Sequence, residues 1–247
     1  MATVASALAQ PPTQPTPPAR RVPPLCDGDH LTREEFERRY DATPGLKKAE
    51  LIEGRVYLPP PPVSAEGHGF PHADLLAVLG VYRAATPGVR VADNGSIRLD
   101  LDNMPQPDVA AIVLPAHGGQ ARIGTDGYIE GAPEFIAEVA RTSASYDLHD
   151  KLHVYRRNGV REYVVWRTFD AEIDYFLLRE GLYVRHAPDN KNVFRSDALL
   201  GLWLDAGSLV REDLASALKV IQEGLASPEH AEFVKKLQQA AVAQPKT

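Results

Sequence analysis

The chain has 247 residues, 44% of them hydrophobic and 24% charged, which is the composition of an ordinary globular protein with one core plus tails. No apolar run approaches the roughly 20 residues that span a bilayer. The start, MATVASALAQ, lacks the basic and apolar regions of a secretory leader, and the lone Cys26 excludes an internal disulfide and a cysteine-rich zinc cluster. The expected location is therefore cytoplasmic, and a net charge of −6 argues against nucleic-acid binding by bulk charge while leaving room for a local basic groove.

Residues 1–30 are rich in Pro, Thr, Ala and Gln, and PPTQPTPP and VPPL offer too little apolar surface to offset ordering entropy. A disordered tail is expected there, with an ordered domain over 31–205 and a peripheral helical extension over 206–247. Thr32-Arg-Glu-Glu35 is a capping box that opens a short helix carrying Phe36 and Tyr40. Glu53-Gly54, between two apolar stretches, predicts a hairpin that ends at the proline run Pro59 to Pro62. Leu75, Leu76, Leu79 and Tyr82 recur at helical spacing, predicting a helix over 71–85, and Thr86-Pro87-Gly88 stops it.

Strand patterns follow at 89–91, 97–101, 108–114 and 135–140. A helix is expected over 147–157, stopped at Asn158-Gly159, and then a strand over 160–166. Strands at 173–178 and 182–185 pair across Glu180-Gly181. Helical stretches over 211–224 and 228–243 could cap the domain or mediate homodimerisation. A helix between two strands permits a parallel crossover, so the expected class is α/β with a mixed sheet flanked by helices.

Two carboxylates stand out chemically. Asp108 opens an almost wholly apolar strand, and Glu138 lies inside another, Phe135-Ile-Ala-Glu-Val-Ala140. Both faces of that second strand are apolar apart from the glutamate. A carboxylate there loses water and needs a cation: a metal, Lys151 or an arginine such as Arg141. A buried ion pair without function is the alternative to a functional site. On the following helix Leu148, Leu152 and Tyr155 share one face, and Lys151 lies near enough to that stripe to extend toward Glu138. Asp147 and Lys151, four apart, could otherwise form an ordinary surface pair.

Other groups are weaker. His149-Asp-Lys-Leu-His153 superficially resembles a zinc motif, but both histidines fall off the apolar stripe, Asp replaces the general-base Glu, and a third ligand is not evident. Glu50 is either a third oxygen ligand or a surface edge charge. His72 reads as a helix N-terminal residue with local hydrogen bonds. Arg156, Arg157 and Arg161 suit a solvated helix end, with a basic groove as the alternative.

The stretches Ala49-Glu-Leu-Ile-Glu-Gly-Arg-Val56, Gln106-Pro-Asp-Val-Ala110, Pro133-Glu-Phe-Ile-Ala-Glu-Val139, Asp147-Leu-His-Asp-Lys151 and Tyr155-Arg-Arg-Asn-Gly-Val-Arg-Glu-Tyr163, with His72 opening a helix, occur in an order that resembles the Uma-type family of restriction endonuclease-like proteins. That family lies within the PD-(D/E)XK nuclease superfamily, and the resemblance covers about residues 31–205. It implies a restriction-endonuclease-like fold and Mg²⁺-dependent cleavage of DNA, with Mn²⁺ as a substitute. It further implies Asp108 and Glu138 as metal ligands, with the Val139 carbonyl added by its position, Glu50 as a supporting acid and Lys151 as the catalytic lysine. The usual superfamily lysine lies two residues after the acidic ligand. Ala140 holds that position here, and the lysine is displaced onto the following helix; Arg141-Thr142 also replaces the usual Ser-Pro. The competing classes are a non-enzymatic nucleic-acid- or protein-binding module of the same fold and a hydrolase of small phosphoesters.

Overall fold

The computed structural model describes residues 21–58 and 64–243. The first twenty residues of the expected tail and the proline run after the hairpin lie outside these. Helix α1 (Arg33–Asp41) starts as its capping box predicts, with the Thr32 side chain accepting from the Glu35 N–H. The hairpin β1 (Glu50–Ile52) and β2 (Arg55–Tyr57) follows. Glu53 and Gly54 have φ of 51° and 70°, the left-handed pair that a two-residue turn between twisted strands requires. A π-helical turn, Ala65–Gly69, leads into α2 (Phe70–Ala85).

Six strands form the main sheet: β3 (Val89–Asp93), β5 (Val109–Val113), β8 (Phe135–Ala140), β9 (Glu162–Arg167), β10 (Glu172–Arg179) and β11 (Leu182–Arg185), in the order β11-β10-β9-β8-β5-β3. Within this sheet, among the described residues, only the β8–β9 pair is parallel, which is the crossover the strand–helix–strand order allowed. The crossover helix runs through α3 (Ala144–Tyr146), a π-helical turn (Asp147–Lys151) and α4 (Leu152–Arg157). Every residue of the central strand β8 is buried, as a strand covered on both faces must be.

Alternate residues of the sheet feed two cores. Val109, Ala111, Phe135, Ala137 and Val139 face α2 and the C-terminal helices α5 (Ala206–Val210), α6 (Leu214–Leu225) and α7 (Pro228–Ala243). Ala110, Ile112, Ile136, Ala140 and Val165 face the crossover helix through Val154 and Tyr155. A third cluster joins Leu25, Phe36, Leu51, Val56 and Met104 beneath α1 and the hairpin.

Three expectations change. Leu25 is buried and the Gly28 N–H donates to the Val56 carbonyl at 2.9 Å, so order begins before Leu31. The C-terminal helices are not peripheral, because Ala217, Ile221 and Leu237 share one core with Val113 and Phe194. Two small sheets went unpredicted as sheets, although the strand expected over 97–101 appears in one of them, shortened to Ile97–Arg98. One combines β4 (Ile97–Arg98), β7 (Ile129–Glu130) and β6 (Arg122–Ile123), and the other pairs β12 (Val193–Arg195) with β13 (Trp203–Asp205). Their strands are two or three residues long, too short to show a period.

Candidate active site

The register Ala110↔Ile136 continues to place Asp108 across from Glu138, on the sheet face beneath the crossover helix. The strands are laced there. The Asp108 N–H donates to Glu138 Oε2 at 3.3 Å, and the Val139 N–H donates to Asp108 Oδ2 at 2.9 Å. Glu50 arrives from β1, which is pinned by backbone bonds between Leu51 and Met104 just ahead of β5. Glu50 Oε1 then accepts the Gln106 N–H at 2.8 Å. It is 4% exposed, so the surface-charge reading of Glu50 falls.

Lys151 reaches these acids from the π-helical turn. Its Nζ lies 2.9 Å from Glu138 Oε1, 3.0 Å from Glu50 Oε1 and 3.5 Å from Asp147 Oδ1. The extra residue in this turn shifts the helical phase, so Asp147 and Lys151 both point inward with Val154 and Tyr155, while Leu148 and Leu152 are only half-buried. Asp147 and Lys151 are therefore a buried pair, not a surface one. The Tyr155 hydroxyl donates to Glu138 Oε1 at 3.0 Å, and the Tyr146 ring lies 5.2 Å from the amine.

A second rank of residues surrounds Asp108. Lys48 Nζ lies 3.2 Å from Asp108 Oδ1 and 3.2 Å from Asn94 Oδ1. His68, from the first π-helical turn, places Nε2 3.6 Å from Asp108 Oδ1 and donates from Nδ1 to the Val139 carbonyl at 3.0 Å. His72 reaches the Asp108 carbonyl at 3.1 Å and Asp93 Oδ1 at 3.3 Å, so its bonds are long-range rather than local. Sequence reasoning missed Lys48 and His68. Lys48 carried a legible signal, since two residues before Glu50 in an extended segment it shares that residue's face. His68 carried none, because a π-helical turn has no sequence period of its own.

Several candidates stand elsewhere. His149 and His153 are exposed on the crossover helix. Arg157 is tied to Glu53 and Asp100, and Arg156 donates to the Gly181 carbonyl, so these two arginines serve as tethers rather than as a groove.

The charges do not balance. Four carboxylates (Glu50, Asp108, Glu138, Asp147) face two amines (Lys48, Lys151), nearly all of it out of water. Burial, with repulsion from Asp108, Asp147 and Glu50, pushes the Glu138 carboxyl up to about 8 against the pull of Lys151. Burial likewise raises Asp147. Burial would raise Asp108 too, but Lys48, His68 and the Val139 N–H outweigh it and hold that carboxyl low. Burial works against the Lys151 charge, yet Glu138, Glu50 and Asp147 keep it protonated.

A buried negative excess must take up protons or a cation. Among the described residues no three His, Cys, Asp or Glu side chains form a ready cage. Mg²⁺ does not require one, because it binds through one or two carboxylates and keeps several waters. Asp108 and Glu138, adjacent hard oxygen donors within the acidic excess, fit such an ion. The Val139 carbonyl is adjacent and already accepts from His68.

Among the described residues no helix is long and apolar enough to cross a membrane. Comparison with curated proteins returned no match. A crystal structure from Anabaena variabilis, described as that of a "putative nuclease belonging to DUF820", superposes with a TM-score of 0.53 at 14% identity. The match covers 76% of this chain and 99% of that one, and it establishes a shared fold. Residues 33–207, carrying Asp108, Glu138, Glu50 and Lys151, match the Uma2 family, described as "Putative restriction endonuclease", and the chain belongs to that family.

Proposed function

We propose that the protein is a Mg²⁺-dependent endonuclease that hydrolyses phosphodiester bonds in DNA, with Mn²⁺ able to replace Mg²⁺. The observation that carries this reading is the acidic excess around Asp108 and Glu138 on adjacent strands, four carboxylates against two amines, which suits a divalent cation. The family description supports nucleic acid as the substrate.

In this reading Asp108 and Glu138 would hold the ion, with the Val139 carbonyl beside them. The bound ion would lower the pKa of a water and offset charge growing at phosphorus. Tyr155 and Lys151 orient Glu138 Oε1, leaving its second oxygen directed toward Asp108. Glu50 and Asp147 fix Lys151 in turn. Lys151 is the lysine that the family resemblance marks as catalytic.

The test uses supercoiled plasmid and single-stranded DNA with Mg²⁺, Mn²⁺ or EDTA. Wild type should cut only with metal, and Asp108→Ala and Glu138→Ala should not cut. Equal activity in all three rejects the assignment. Calorimetric Mn²⁺ binding that is lost in Glu138→Ala, without cleavage by wild type, would favour a non-enzymatic binding module.

A further inference from the structure

Resting on that nuclease reading, the geometry points to Lys48, rather than Lys151, as the lysine that touches the scissile phosphate. An ammonium has three N–H donors. Lys151 has three carboxylate acceptors within 3.5 Å, and its side chain is 4% exposed. It cannot turn to a phosphate without abandoning a buried partner, which makes it the brace of the acidic cluster.

Lys48 is placed differently. Its side chain is 27% exposed, against 6% for its partner Asp108. Among the described residues only two acceptors, Asp108 Oδ1 and Asn94 Oδ1, lie within hydrogen-bonding distance of its amine, so one donor remains for a ligand. Its direction is set in advance. Asn94, just after β3, lies in the left-handed region (φ 49°), which asparagine tolerates better than most residues. The Asn94 Nδ2 donates to Asp93 Oδ1 at 2.7 Å, which turns the amide oxygen toward Lys48. The amine is thus held beside Asp108, the carboxylate assigned to the metal, at the solvent-facing margin. A phosphate arriving beside Asp108 from solvent would find the spare donor of Lys48 there.

The experiment compares full-length wild type, Lys48→Ala, Lys48→Arg and Lys151→Met. The readouts are cleavage of a labelled single-stranded oligonucleotide with Mn²⁺, binding of that oligonucleotide in EDTA across a salt series, and Mn²⁺ calorimetry. Lys48→Ala should keep its circular dichroism spectrum and its Mn²⁺ affinity. It should lose about 100-fold in cleavage, and its log Kd against log salt slope should fall by about 0.7, as for one lost phosphate contact on a single strand. Lys48→Arg should restore most of the slope. Should Lys48→Ala fail to fold, Lys48→Gln and Asn94→Ala take its place with the same expected losses. A folded Lys48→Ala that cuts within about threefold of wild type with an unchanged slope overturns the assignment. A wild type that neither binds nor cuts the oligonucleotide removes the nuclease reading itself, and Lys48's role with it.

Discussion

Lys151 Nζ lies 2.9 Å from Glu138 Oε1, an ammonium and a carboxylate both only 3% exposed. Removing the amine leaves not only Glu138 but also Glu50 and Asp147 buried without their shared cation. Lys151→Met should therefore lose about 3–5 kcal/mol in urea unfolding. Adding Glu138→Gln should recover only part of that loss, because Glu50 and Asp147 stay buried without the amine. A single variant as stable as wild type would mean that the amine does not brace the cluster.

Tyr155 contributes one hydroxyl to the same carboxylate, at 3.0 Å. Tyr155→Phe keeps the ring and deletes the donor. About 1–2 kcal/mol of stability should go, measured by urea midpoint at constant m-value.

Arg141 lies across Gly67, where any side chain would collide with the guanidinium, and it has no ion-pair partner among the described residues. It follows Glu138 by three residues and is exposed just after β8. If the protein binds nucleic acid as proposed, Arg141→Ala should weaken binding about equally for all sequences and lower the salt slope by about 1. Fluorescence anisotropy with two unrelated oligonucleotides measures this, and a sequence-dependent loss would assign Arg141 to base contacts instead.

Glu162 is a buried carboxylate far from any metal role. It accepts from the Tyr175 hydroxyl at 2.7 Å, the Ser196 hydroxyl at 2.6 Å and the backbone N–H groups of Asp197 and Ala198 at 2.7 and 2.9 Å. Glu162→Gln has too few acceptors for these donors and should cost about 2 kcal/mol or more. Burial raises the Glu162 pKa above its ordinary 4.5 despite these bonds. The folded state then binds a proton more tightly than the unfolded one. Its stabilising effect is complete below pH 4.5 and is lost as pH rises through the folded value. The stability gap between wild type and Glu162→Gln should therefore narrow as pH climbs from 4.5, in denaturant titrations across that range. A gap that widens with pH would mean that the four donors outweigh burial.

Particular residues show how far the sequence reached. Asp108 and Glu138 were legible because a carboxylate inside an apolar strand has few bland explanations. The β8–β9 crossover was legible because a capped helix separates two strand patterns. The turns at Glu53-Gly54 and Glu180-Gly181 were legible because left-handed backbone favours glycine, and both pairs do adopt positive φ. The depth of Lys151 was only half legible, since a regular helix places it at the flank of the stripe and the π-helical turn carries it inside.

What the sequence determined by itself is the local content: which segments alternate, which recur at helical spacing, where the chain turns, and which buried strands hold a charge. Tertiary structure alone decided which distant charges meet. It brought Lys48 beside Asp108 and Glu50 beside Lys151, set His68 against the Val139 carbonyl, and folded the C-terminal helices into the main core. The physical reason is range. Periodicity and turn preference act within a few residues, but a carboxylate's counterion is chosen by sheet register and helix phase, and one extra residue in a single turn changes it.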